Sequence, residues 1–269
     1  MRRLGTAIVV MVLMLGVGAS GATPLLEIGS SARAVALGGA LVALADDENA
    51  LFYNPAALAI LERPRLSLFY QRVFEVVHHV GVGGAMRSVG LQILQIDTGS
   101  AEATNEFGNP TGMATGFFER LGLFGLALGS ELFAIGGRVQ FYQTPAQTRF
   151  AIDVAARVAL GVVRVGAFVH DLFSTESSLD LRVGTGLIWA IHPQWTLSLG
   201  LDIWRLLTGP ELHVGVEVSV NSLRMRVGYD GVAVASGAGV RWGRLQLDWA
   251  YRVHPFLPAS TIVTVTYLF

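Results

Sequence analysis

The 269-residue chain is 52% hydrophobic and only 14% charged, a balance too apolar for an ordinary soluble domain and one that directs it to a membrane. A formal net charge of -1 offers no basic face to neutralise phosphates, which disfavours nucleic acid as a partner. The absence of cysteine excludes disulfides, thiolate metal sites and a lipoprotein-type export signal.

Residues 1-22 read as a signal peptide of the Sec type. Arg2 and Arg3 precede an apolar run from Ala7 to Val17, and the small residues Ala19, Ser20, Gly21 and Ala22 follow, with cleavage expected after Ala22. The run is shorter than the roughly 20 apolar residues that span hydrocarbon. Residues 23-64 hold no membrane-length alternation and read as short helices and turns. Asn54 before Pro55 is a helix start, the Asn capping and the Pro presetting the first helical φ. Asp46, Asp47 and Glu48 read as a solvated turn whose charge favours a following helix dipole, rather than as a cation site.

From Arg65 onward the apolar residues follow a period of two, the strand signature. Leu245, Leu247, Trp249, Tyr251 and Val253 alternate with Arg244, Gln246, Asp248, Ala250, Arg252 and His254. Fourteen such segments are expected near Arg65 to Arg72, Val76 to Met86, Val89 to Asp97, Leu121 to Gly129, Phe133 to Tyr142, Arg149 to Leu160 and Val163 to Asp171 in the first half. Leu179 to Ile191, Trp195 to Leu206, Glu211 to Val220, Leu223 to Asp230, Val232 to Trp242, Arg244 to His254 and Ser260 to Phe269 complete them. The count is twelve if the short first and poorly alternating fourth segments are discounted. A change of phase near Ile93 and Leu94 reads as a bulge.

Segments of about 9 to 11 residues fit a tilted strand crossing a bilayer and are too long for a soluble sandwich. Every second link is tight, as at Gly243, Asn221-Ser222, Gly161-Val162 and Arg87-Ser88, and the others are mostly longer, Thr98 to Arg120 above all. Short turns on one side, longer loops on the other and an even strand count describe an outer-membrane barrel. Trp189, Trp195 and Trp242 near the tight turns suit an aromatic girdle. The expected fold is all-β: a transmembrane antiparallel up-and-down β-barrel of 14 strands over 65-269, with an N-terminal helical hatch or plug over 23-64.

The alternation turns Arg138, Arg157, Arg182, Asp202, Glu217, Arg224, Arg226, Asp248 and Arg252 toward the lumen. All 19 basic residues of the chain are arginine, whose planar fork suits ion pairs there. Gly166, Gly184, Gly186, Gly200, Gly215, Gly228, Gly237 and Gly239 share that face, where glycine marks a close approach by another backbone. A barrel of about 14 strands leaves space its own inward residues cannot fill. The loop Thr98 to Arg120, with Phe107, Met113, Phe117 and Phe118, is a candidate gate.

The string from Ile28 to Ala40, Ile-Gly-Ser-Ser-Ala-Arg-Ala-Val-Ala-Leu-Gly-Gly-Ala, followed by Ala45-Asp46-Asp47 and Tyr53-Asn54-Pro55-Ala56, resembles the opening of the PorV/PorQ group of outer-membrane proteins, related to the FadL-like transporters of hydrophobic compounds. The resemblance implies a fourteen-strand barrel with an N-terminal hatch containing Arg33, Gly38, Gly39, Asp46, Asp47, Asn54, Pro55 and Ala56. The final Thr-Tyr-Leu-Phe, ending in Phe269, is similar to the terminal signal of barrels delivered to the outer-membrane assembly machinery.

No catalytic motif is present. There is no G-x-S-x-G, H-E-x-x-H or Walker-type phosphate loop, and the adjacent His78 and His79 point to opposite faces of a strand. No enzyme activity and no cofactor is therefore expected. Two functions stay open. One is a passive channel for small hydrophobic molecules across the outer membrane. The other is a scaffold or secretion-associated protein that binds secreted proteins and uses the barrel as a lipid-embedded anchor.

Overall fold

The computed structural model describes Leu25 and residues 28–73, 77–104, 110–174 and 179–269; the expected signal peptide lies outside them. Among the described residues two short helices, α1 (Ala32–Ala36) and α2 (Ala50–Tyr53), and a 3-10 helix (Pro55–Ile60) precede fourteen strands. The strands are β1 (Arg65–Val73), β2 (Val77–Met86), β3 (Val89–Thr104), β4 (Pro110–Gly129), β5 (Phe133–Gln143), β6 (Thr148–Leu160) and β7 (Val163–Ser174). They continue as β8 (Asp180–His192), β9 (Trp195–Trp204), β10 (Glu211–Val220), β11 (Leu223–Tyr229), β12 (Val234–Trp242), β13 (Leu245–Val253) and β14 (Ser260–Leu268). Each pairs antiparallel with its chain neighbours, and β1 with β14 closes the cylinder.

Closure follows from the pattern of side chains. On β13 Leu245, Leu247, Trp249, Tyr251 and Val253 are exposed on the outer face while Gln246, Asp248 and Ala250 are buried. The same inversion holds on β11, with Leu223, Met225 and Val227 outside and Arg226 inside. Sheet edges would leave unpaired backbone groups, which a closed barrel does not have. The tight turns carry the left-handed residues their geometry needs: Ser88 and Asn221 at φ 71° and 53°, Gly161 and Gly243 at φ 62° and 60°.

Three local expectations are corrected. No bulge occurs at Ile93 and Leu94, because β2 and β3 stay in continuous register from His78↔Asp97 to Met86↔Val89. The hydrophobic phase breaks there because Leu94 and Ile96 are apolar residues facing inward. Over its described residues the stretch Thr98 to Arg120 is strand rather than loop: β3 and β4 stay paired, with Ser100↔Gly116 and Glu102↔Ala114 beyond a register shift after Asp97. Cross-strand pairing makes it strand, and its Gly- and Thr-rich sequence had no apolar alternation to reveal it. The link after β11 is longer than expected, running from Asp230 to Ala233 before β12 begins.

The stretch 30–59 runs inside the cylinder, nearly all of it buried. Inward glycines make this approach possible. A Cβ on Gly228 would overlap the main chain at Leu37 and Gly38, one on Gly166 the carbonyl of Val42, and one on Gly136 the main chain at Pro55 and Ala56. Gly228→Val is expected to lower stability by about 1–3 kcal/mol, as overpacking does, and to speed protease cleavage between residues 28 and 61. Gly209→Ala, where a Cβ meets nothing within 4 Å, serves as the control and should change neither. Equal unfolding midpoints for the two variants would show that the segment does not rest on this wall.

Candidate functional site

The interior is organised by two arginine networks that join the segment to the wall. Ser31 caps α1 by accepting from the Ala34 N–H at 3.1 Å, and the helix holds Arg33 facing acidic groups. One Arg33 nitrogen donates to Asp46 at 2.5 Å and to Asp47 at 2.6 Å, and another to Glu217 of β10 at 3.3 Å. Glu217 in turn accepts from Arg226 at 2.5 Å, and Arg226 donates to Asp248 at 2.6 Å. The chain of alternating charge thus passes from the segment to β10, β11 and β13. Asp47 and Glu48 are buried, which corrects the expected solvated turn, whereas Asp46 is exposed. Asp47 is paired with Arg33, and Glu48 accepts from Thr266 at 2.9 Å.

Arg138 of β5 is the second junction, its side chain fully buried. It donates to Asp153 of β6 at 2.6 Å and to the carbonyls of Leu51 and Phe52 at 2.9 and 2.7 Å, the C-terminal carbonyls of α2 that have no partner within so short a helix. Its guanidinium lies 4.8 Å from the Phe168 ring centroid and 3.0 Å from Nδ1 of His170. Gln140 donates to both oxygens of Asp153, so the acid is fully engaged.

Asn54 caps the 3-10 helix by accepting from Ala56 N–H at 3.1 Å, and donates to the Val42 carbonyl at 2.7 Å. Asp202 of β9 accepts from Val42 N–H at 2.7 Å, and His213 of β10 meets the Gly38 carbonyl at 2.6 Å. Gly38 and Gly39 hold φ of 61° and 77° and turn the chain beneath the Trp204 and His213 rings, which stack at 4.0 Å. Arg182 lies 3.8 Å from the Trp204 ring centroid and pairs with Asp180 at 2.8 Å. Arg252 pairs with Asp230 at 2.6 Å. Arg224 is half-buried on the inward face. Arg157 is buried with an unpartnered Nη1.

Sequence reasoning missed an apolar part of the inner wall. Phe69 of β1, Leu94 and Ile96 of β3, Leu121 and Leu123 of β4 and Tyr142 of β5 are all buried on the face that carries charge elsewhere. The phase break at Ile93 and Leu94 was their trace. The residues considered as a gate are not gathered there in a loop: Met113, Phe117 and Phe118 belong to β4, Phe118 being half-buried with Arg120 4.9 Å from its ring centroid, and Phe107 lies outside the described residues.

At the short-turn end an open polar cavity of about 290 Å³ is lined by Asp46, Glu62, Arg65, Glu131, Arg157 and Arg164, with Ala43, Leu44, Ala45, Ile60 and Ile188. On the other side of the segment a void of about 20 Å³ lies beside Gly39, Tyr53, Trp204 and His213. A larger hollow, about 540 Å³, lies on the outer face where Gly137, Ala156 and Ala167 stand low between Leu126, Leu128, Ile135, Val154 and Val169.

No protein-family model matches the chain, and no curated protein matches it in sequence. Solved structures do. The Pseudomonas putida toluene transporter TodX is similar with a TM-score of 0.62 at 10% identity, over 91% of this chain and 99% of that one. A TodX deltaS2S3 mutant, titled a monoaromatic hydrocarbon channel, gives 0.62 at 10% identity over 89% and 98%. The Acinetobacter baumannii outer membrane protein Omp33 gives 0.51 at 6% identity over 77% and 98%. At such identities the likeness is one of fold: the closed barrel of outer-membrane proteins.

The buried acids of the segment respond to pH in opposite senses. Burial raises the Glu48 carboxyl to about 7 from an ordinary 4.5, and the neighbouring Asp47 charge adds to it. Burial works the same way on Asp47, but the Arg33 and Arg65 charges and hydrogen bonds outweigh it and hold the carboxyl near 2. The folded state therefore holds an extra proton on Glu48, and its stability falls as pH rises from about 4.5 through 7. Asp47 adds stability above about pH 4 that is lost as pH falls toward 2. Glu48→Gln should abolish the loss between pH 5 and 8, which is on the order of 3 kcal/mol for a shift of this size. Parallel unfolding curves of the variant and the native chain across that range would contradict the assignment.

Losing Arg138 should cost more. Arg138→Met leaves Asp153 charged and unpaired and two α2 carbonyls without donors, an expected loss of about 3–5 kcal/mol. Restoring the balance with Asp153→Asn in the same chain should recover part of that loss. A double variant as unstable as the sum of the singles would show that the pair is not coupled.

Proposed function

We propose that the chain is an exported outer-membrane channel for small hydrophobic molecules, closed in this conformation by its N-terminal segment. The observation that carries this reading is the apolar inner wall of Phe69, Leu94, Ile96, Leu121 and Leu123. A barrel used only as an anchor needs an apolar outer face, whereas a route for hydrophobic solutes also needs apolar side chains on the inner one. The shared fold with a toluene transporter supports the same substrate class. Export would begin with the signal peptide over 1-22, and Phe269 would mark the barrel for the assembly machinery. The proposed kinship to PorV/PorQ proteins rests chiefly on the N-terminal string, the likeness through the barrel being generic.

The scaffold reading has one observation in its favour: the segment fills the lumen from Ser30 to Leu61, as an anchor would allow. Two variants separate the readings. Deleting residues 23-61 removes no strand, so the barrel is expected to fold and to show larger, steadier conductance in planar bilayers. In cells expressing the full chain, uptake of a monoaromatic hydrocarbon such as toluene should exceed that of cells without it, and Leu94→Glu should reduce the difference several-fold by placing a charge on the inner wall. No uptake above background, with the folded barrel recovered from the outer membrane, would favour the scaffold.

A further inference from the structure

The cavity at the short-turn end has a feature the channel reading does not use. Arg157 of β6 is only 4% exposed, yet its Nη1 has no hydrogen-bond partner, and among the described residues its guanidinium is in no ion pair. Among the described residues every other buried arginine has a carboxylate within 3.3 Å: Arg33, Arg138, Arg182 and Arg226. A buried charge without such a partner is costly to keep, so its retention calls for a counter-charge from elsewhere.

Glu131 and Asp46 favour the Arg157 charge through space, but neither forms an ion pair with it. Arg164 of β7 stands diagonal to Arg157, because Arg157 pairs with Gly166 and Ala159 with Arg164; on an antiparallel pair that diagonal is within reach of long side chains. Gly166 places no side chain between them. Arg164 donates from one nitrogen to the carbonyls of Gly161 and Val163 and adds a second positive charge rather than cancelling the first. Arg65 donates to the Asp46 carbonyl at 3.2 Å and lies 3.9 Å from Glu48. Of the acids, Asp46 is held by Arg33 at 2.5 Å, and Glu62 and Glu131 are exposed at the rim.

We propose that this cavity is an anion site in which Arg157, backed by Arg164, binds a small oxyanion of the carboxylate or phosphate class. A guanidinium presents paired donors that match two oxygens of either group, and about 290 Å³ accommodates such an ion with part of its hydration shell. The site opens at the short-turn end, the periplasmic side if the barrel follows the usual orientation. It stands independently of the channel reading, since no residue of the apolar wall takes part.

The test uses the full chain purified in detergent and titrated calorimetrically with sodium phosphate, sodium acetate and sodium chloride at matched ionic strength. Saturable binding of phosphate, acetate or both, absent with chloride, supports the site, and the relative affinities assign the preferred oxyanion. Arg157→Gln should weaken that binding about tenfold or more, the effect of one charge-assisted hydrogen bond. Arg164→Gln should weaken it by a smaller factor, and Glu131→Gln, which removes a rim charge, should tighten it. Because Arg157 has no ion pair to lose, Arg157→Gln should be at least as stable as the native chain in chloride. Equal oxyanion affinity for Arg157→Gln and the native chain overturns the proposal, as does a variant destabilised in chloride, which would make Arg157 a structural residue.

Discussion

The structure depends on a steric permission. Fourteen strands make a cylinder too wide for their own inward side chains to fill, and it is filled by main chain, which needs walls without Cβ atoms. Leu37, Gly38, Ala40 and Val42 lie against Gly215, Gly228, Gly200 and Gly166, so backbone packs on backbone across the lumen. Each glycine weakens its strand intrinsically. The contact it permits buries 30–59 and brings the polar groups of that segment within hydrogen-bonding reach of the wall.

That closeness explains why so much charge is buried. A carboxylate or guanidinium removed from water is tolerable only when paired and hydrogen-bonded. The lumen meets this requirement by alternating the signs: Asp47, Arg33, Glu217, Arg226 and Asp248 form a continuous relay. Arginine suits it because one planar group can bond two acceptors on different strands, as Arg226 does with Glu217 and Asp248, or an acid and two carbonyls, as Arg138 does. These are links of specificity more than of net stability. They set the register in which the segment docks, and removing one member leaves its partner charged in a poorly solvated place.

The interior is also uneven. The wall near β1 to β5 carries Phe69, Leu94, Ile96 and Leu121, the opposite wall carries the charged relay, and the short-turn mouth gathers Arg65, Arg157 and Arg164. An apolar solute and an anion would therefore meet different parts of the same lumen. The segment stands between the cavity at the mouth and the small void beyond it, so the proposed passage of solute would require it to move, and its buried, pH-responsive acids are the groups such movement would expose to water.

The barrel was legible in the sequence because its causes are local. Side chains alternate across a strand with a period of two, so the greasy face of Leu245, Leu247 and Trp249 could be read without knowing any neighbour. The length of a segment reports the thickness it must cross, and the φ demands of tight turns leave Gly and Asn where strands reverse. The inward glycines likewise announced that something approaches the wall. What could not be read were contacts between residues far apart in the chain. That Arg33 meets Glu217, that Arg138 holds the carbonyls of Leu51 and Phe52, and that Asp47 and Glu48 are buried all depend on how the segment seats in the closed cylinder. Leu94 and Ile96 looked like an irregularity because periodicity assumes a polar interior, and the β3–β4 hairpin looked like a loop because its pairing, not its alternation, makes it strand. Alternation is imposed residue by residue by backbone geometry and the surrounding solvent, whereas partnership is decided only when closure brings distant residues to the same depth.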